Sequence, residues 1–184
     1  MIIAFLAETV KTYQERYLIF LERIDFCCTY CNCKCKRHAW RKRKARTKEA
    51  VIVLLVLRVI CPRCHRTFTI LPDFLKPCGR YIQNIREEAI VAQLAGIPAE
   101  RATAYGPSAE TVRRWLADFK AVREEATATL RSLLAQLGYF PPLGRSALFE
   151  LLHWIVRSIP GLAYSNLLGL ANILLTQTET PVRI

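Results

Sequence analysis

The 184-residue chain has no apolar run near the roughly 20 residues that a bilayer-spanning helix needs. Its longest, residues 50–57, runs straight into Arg58. No basic leader precedes the apolar start Met1 to Leu6, and Glu8 follows at once, so a secretory signal is not expected. There is no internal repeat, which excludes a solenoid, and no low-complexity tract besides one basic run. With 52% hydrophobic residues, wholesale disorder is excluded too. Carboxylates do not gather on an alternating strand–helix scaffold, and no Ser/His or Cys/His nucleophile motif occurs, so no enzymatic activity is expected. Acidic residues are missing altogether from 34–48, and cysteines are missing outside 26–80.

These last two absences show where charge and sulfur are concentrated. The net charge is +12, and residues 26–80 hold fourteen Lys/Arg against two Asp/Glu, while the flanking parts nearly balance. All eight cysteines (27, 28, 31, 33, 35, 61, 64 and 78) lie in the same segment. A reducing cytoplasm is the expected setting, where clustered cysteines bind metal or do chemistry more often than they form disulfides.

The pattern along the chain predicts an α+β fold. A short strand is expected at residues 2–6, followed by an amphipathic stretch to Leu21. The β-branched run 50–60 reads as a strand, and 67–71 as its return. From Arg80 onward helix formers dominate. Helices are expected over 81–95 (capped by Gly96), over 98–105 with Pro98 in the first turn, and from an N-cap at Ser108 to Leu137. Two more are expected near 146–159 and 165–175. The predicted organisation is therefore a strand plus zinc ribbon with a basic loop over 1–80, a helix-turn-helix over 81–120, and a helical packing or dimerisation region over 121–184.

Cys28-x-x-Cys31 and Cys61-x-x-Cys64 carry the chemistry. Two CxxC turns at strand ends can place four thiolates around a tetrahedral Zn2+ ion at about 2.3 Å. The interval 32–60 is longer than the common spacing, which a basic loop inserted between hairpins explains. The residue after each second cysteine often needs positive φ, and here Asn32 and His65 belong to types enriched in that region. Cys33 or Cys35 stays open as a replacement for Cys28 or Cys31, and a second metal site stays open beside them. Cys61-Pro-Arg-Cys-His65 also matches c-type haem attachment, and Cys-Pro-x-Cys a thiol oxidoreductase, but without the export signal or βαβ context those need. Cys78 and His153 read as packing residues.

Lys34, Lys36, Arg37, Arg41, Lys42, Arg43, Lys44, Arg46 and Lys48 crowd into fifteen residues. Such a run repels itself unless an anionic partner neutralises it, and Trp40 adds a stacking aromatic. Together with His38 they form a nucleic-acid-binding set. In a helix-turn-helix the first turn of the third helix faces the major groove, which puts Ser108, Thr111, Arg113 and Arg114 there. Val112, Trp115, Leu116 and Phe119 mostly face the core.

Cys61-Pro-Arg-Cys-His-Arg-Thr-Phe-Thr-Ile-Leu-Pro-Asp-Phe-Leu75, Arg80-Tyr81 and Gly106-Pro-Ser-Ala-Glu-Thr-Val-Arg-Arg-Trp-Leu116 resemble a largely uncharacterised bacterial family linked to insertion sequences. Its members join an N-terminal zinc ribbon to a helix-turn-helix, as the DNA-recognition parts of many transposases do. The resemblance covers about residues 1–120, and Thr111-Val-Arg-Arg-Trp115 is its most specific piece. Arg37-His-Ala-Trp40 is similar to that ribbon's basic His-Gly-aromatic segment, with Ala39 where glycine is usual, and the Cys33/Cys35 pair is an addition. The resemblance implies a DNA-binding protein of a mobile element, a transposition accessory or regulator, associated with the bacterial nucleoid. RNA stays open as a ligand. A homodimer or larger transposition complex is the expected assembly, with no membrane partner. The alternative is an adaptor that docks on a larger recombinase or polymerase.

Overall fold

A computed structural model of the chain describes residues 2–5, 10–102, 106–141, 148–158 and 167–176. The fold is α+β, in two compact units, 1–82 and 83–184. The first unit holds β1 (Ile2–Phe5), α1 (Val10–Arg23), β2 (Lys36–Arg46), β3 (Val51–Ile60) and β4 (Thr67–Pro72). They form one sheet in the order β1-β4-β3-β2, antiparallel except for the parallel pair β1–β4.

The segment expected to be a basic loop is instead a strand. β2 pairs with β3 along its whole length, from Lys36 beside Ile60 to Arg46 beside Val51, with one irregularity at His38. A tight turn closes the hairpin. Thr47 N–H donates to the Ala50 carbonyl, and Thr47 Oγ1 accepts from the backbone N–H groups of Glu49 and Ala50. The charges are tolerable because a strand points successive side chains to opposite faces. Like charges on one face then sit about 7 Å apart, and each faces an apolar partner across the ladder rather than another cation.

β3 pairs with β4 only over Arg58–Ile60 and Thr67–Thr69. Where the two strands part, α1 inserts a tyrosine. The Tyr17 hydroxyl accepts from Leu57 N–H at 2.9 Å and donates to the Ile70 carbonyl at 3.4 Å, bridging the next pair of the ladder. One helical turn earlier, Tyr13 donates to the Leu55 carbonyl. The two rings stack with centroids 4.2 Å apart. Burial pushes both phenols above their ordinary range, so they stay neutral donors. These tyrosines join Leu21, Leu54, Leu57, Val59, Phe68, Ile70, Phe74 and Leu75 in the unit's core.

The second unit holds α2 (Gln83–Leu94), α3 (Ala109–Gln136), α4 (Leu148–Ser158) and α5 (Leu167–Thr176). Ser108 caps α3 through Thr111 N–H, and Gly96, Gly106 and Gly138 take positive φ where helices end or turn. α3 runs unbroken through residue 121. The separate 121–184 region expected from the sequence is therefore one body with α2, because Ile90 and Phe119 share a core with Leu130, Leu151, Leu152, Ile155 and Leu168. The short helix expected at 98–105 is also corrected. Residues 99–102 form a turn, and 103–105 lie outside the described residues. Ala99 and Ala102 pack there on Ala89 and Val112, and side chains this small let the chain pass close to both helices without helical packing of its own.

Candidate metal centre and basic ribbon

The two CxxC turns are built alike. In the first, Cys28 N–H donates to the Cys33 carbonyl and Asn32 N–H to the Cys28 carbonyl, both at 2.9 Å. In the second, Cys61 N–H donates to the Arg66 carbonyl at 2.9 Å and His65 N–H to the Cys61 carbonyl at 3.0 Å. Asn32 and His65 adopt φ of 53° and 55°, the left-handed turn that swings each second sulfur back beside the first. Cys78 is the third non-glycine residue with positive φ among the described residues, and it is exposed, not packed as expected.

The repetition brings four sulfurs together. Cys28, Cys31, Cys61 and Cys64 have Sγ atoms all within 4.8 Å of one another. Cys28 Sγ lies 3.5 Å from Cys64 Sγ, and Cys31 Sγ 3.4 Å from Cys61 Sγ. A tetrahedral Zn2+ with bonds of about 2.3 Å places its sulfurs about 3.8 Å apart, so small adjustments accommodate the ion. Cys28 and Cys61 are buried, Cys31 and Cys64 half-buried. Backbone N–H groups of Cys64 and Arg63 pull the Cys61 thiol down to about 6, despite burial. Burial pushes against Cys28, yet N–H groups of Tyr30 and Cys31 hold it below the ordinary thiol range. Backbone N–H groups of Cys33 and Arg66 pull Cys31 and Cys64 down, but burial and then protons shared with the neighbouring sulfurs outweigh them, holding Cys31 up to about 12 and raising Cys64. Thiolate character is thus already favoured at one sulfur of each turn, as a cation site requires.

The structure brings neither Cys33 nor Cys35 into this group. Cys33 Sγ points at the Lys34 carbonyl, and Cys35 Sγ at the Cys33 carbonyl. Cys35 is buried and its thiol is raised to about 11, first by desolvation. A contact between the turns was not foreseen from the sequence. The Tyr30 ring stacks on Phe68, centroids 6.2 Å apart, and the Arg66 guanidinium lies 3.6 Å from its centre. No periodicity marks that pair, because its members lie on separate turns.

The four sulfurs sit at the root of the β2–β3 hairpin, since β3 ends at Ile60 and Cys61 follows directly. The nine cations of 34–48 divide in two. Lys34 pairs with Asp25 at 2.6 Å. Arg37 donates to the Leu21 carbonyl, an otherwise orphaned acceptor in the last turn of α1. Arg43 donates to the carbonyls of Lys76 and Gly79 at 3.0 and 2.8 Å, and Arg46 lies over the Tyr81 ring. Lys48 also has a partner. Among the described residues, Lys36, Arg41, Lys42 and Lys44 are exposed and their side chains make no hydrogen bond or ion pair. His38 is exposed at the strand irregularity. Trp40 is 46% exposed but packs edge-on against Tyr17, so it is partly committed to the fold.

In the second unit Ser108, Arg113 and Arg114 are exposed and Thr111 half-buried. Ser108 and Thr111 bond to each other at 2.9 Å as part of the α3 cap, and Arg113 pairs with Glu100. Arg114 alone of these has an exposed side chain with no partner among the described residues. Val112 and Phe119 are buried and Trp115 and Leu116 half-buried.

A family model described as "Domain of unknown function (DUF6431)" matches residues 28–115. No curated protein and no solved structure matches the chain. No described helix is long and apolar enough to cross a membrane. The matched stretch opens on Cys28, holds all four sulfurs, the whole hairpin and α2, and ends in the first turns of α3, so the chain resembles that family across the cysteine cluster and the hairpin beside it.

Proposed function

We propose that this chain is a zinc-stabilised DNA-binding protein, an accessory or regulator of a mobile element, in which the cysteine cluster anchors a basic ribbon. The observation that carries the reading is the pairing of two features at one place. Four sulfurs within 4.8 Å close the root of a hairpin, and the outer strand of that hairpin presents Lys36, Arg41, Lys42 and Lys44 with no internal partner among the described residues. Bound zinc would cross-link the two turns, and the chemistry it supplies is structural. Cys28, Cys31, Cys61 and Cys64 would hold it.

In this reading the first unit is a zinc ribbon, and α2, the turn at 99–102 and α3 act as a helix-turn-helix. Arg114 would meet base edges directly, and Arg113 would exchange Glu100 for the nucleic acid. Ser108 and Thr111 would set the helix end against a phosphate, since a capped N-terminus carries partial positive charge. Because the second unit is nearly neutral, the ribbon would supply most of the electrostatic affinity.

Salt titration of duplex binding tests this. If about six cations meet phosphates, log affinity falls against log salt with a slope of roughly −5. A flat response, or no shift of any nucleic acid at low salt by zinc-loaded protein, refutes the reading and leaves the adaptor role.

A further inference from the structure

The face of the ribbon that carries the unpartnered lysines also carries an uncovered apolar row. Lys42 stands opposite Leu55, Lys44 opposite Val53 and Arg46 opposite Val51, so these six side chains share one face. Val51, Val53 and Leu55 are 53%, 49% and 50% exposed. Facing side chains on a ladder sit about 5 Å apart, so each aliphatic group is flanked by a cation. Neighbours on the other face, Leu54 and Val56, are buried, so the outward row is not a by-product of a thin strand.

We infer that this ribbon face enters the major groove of B-form DNA, with Lys42 and Lys44 on phosphates and Val51, Val53 and Leu55 against thymine methyl groups. This rests on the DNA-binding reading above and commits it to one nucleic acid and one groove. Strands about 4.8 Å apart with their side chains make a ribbon near the 12 Å width of that groove. Thymine's methyl is the apolar group displayed there, and it matches an aliphatic row. The deep, narrow major groove of A-form RNA would not admit the ribbon. Single strands are gripped by open aromatic platforms, and the aromatic of this ladder, Trp40, is set against Tyr17. Arg41 adds a further exposed cation without a partner on the opposite face.

Fluorescence anisotropy of the full zinc-loaded chain decides it. The probes are an alternating adenine–thymine duplex, the same duplex with deoxyuridine replacing thymidine, a duplex RNA, and vesicles of phosphatidylserine and phosphatidylcholine. Removing one buried methyl weakens binding about fourfold, so the deoxyuridine duplex binds at least that much more weakly. The Val53→Thr/Leu55→Thr variant keeps strand propensity and removes part of the aliphatic row, so it narrows the preference for thymine over uracil while keeping the salt slope. Equal binding of thymine and uracil duplexes by the unaltered chain overturns this inference alone, as does equal binding of RNA or a preference for vesicles. Failure to bind any nucleic acid overturns the DNA-binding reading with it.

Discussion

Replacing Cys64 by serine tests the metal centre with little disturbance of packing, because Cys64 is half-buried while Cys28 and Cys61 are buried. An ion held by Cys28, Cys31, Cys61 and Cys64 ties together turns about 30 residues apart. Loop-closure arithmetic of the kind used for a disulfide then gives about 3.5 kcal/mol from chain entropy. Structural zinc in small fingers binds with about 10–16 kcal/mol, so that entropy term is a lower bound on what loss of the ion removes. For a unit the size of residues 1–82, each kcal/mol shifts the melting temperature by about 4–8 °C. Cys64→Ser should therefore lower the melting of the first unit by at least about 15 °C. The helical far-ultraviolet signal of α2–α5 should persist, since that unit has its own core. The assay pairs metal analysis, expected to give one zinc per chain, with thermal melts with and without a chelator. A Cys64→Ser protein that melts like the parent, or a parent that melts identically with and without chelator, refutes the metal centre.

Three further outcomes follow from named contacts. Arg43→Ala should destabilise by about 1.5–3 kcal/mol, because it strands the Lys76 and Gly79 carbonyls, whereas Lys42→Ala should change stability by less than about 0.5 kcal/mol and make the salt slope of DNA binding shallower by about 0.9; denaturant melts and salt titrations read the two effects separately. Tyr17→Phe should lose about 1–3 kcal/mol in denaturant melts by leaving Leu57 N–H and the Ile70 carbonyl without their bridge. The Glu87 carboxylate accepts from Leu168 N–H at the start of α5, yet burial raises its pKa. Its pH-linked stabilisation is therefore present below the ordinary carboxylate value and is lost as pH rises through the raised one. Glu87→Gln keeps an acceptor and should flatten that fall, measured as melting temperature against pH.

The local devices of this chain are legible from neighbouring residues alone. Asn32 and His65 follow their CxxC pairs and take the positive φ those turns need, because a residue's tolerance of the left-handed region depends on its own side chain. Ser108 as the α3 cap and Gly96 as the α2 terminator are local in the same way. The convergence of the four sulfurs was readable because the CxxC spacing fixes each pair, and the ambiguity over Cys33 and Cys35 needed only the direction of each side chain.

What tertiary structure alone decided is the character of residues 36–46. A dense run of lysine and arginine has weak strand propensity and repels itself, so the segment in isolation reads as a loop. It becomes a strand because β3, an apolar run anchored at Cys61, offers a complete ladder of partners and α1 wedges two tyrosines beside it. The same contacts sort equal-looking cations into two kinds. Arg37 and Arg43 are spent on backbone carbonyls from other elements, while Lys42 and Lys44 face solvent beside an open aliphatic row. No pattern in the sequence separates an arginine that closes a helix end from a lysine left in solvent, because that difference lies in which distant carbonyl the fold brings within reach.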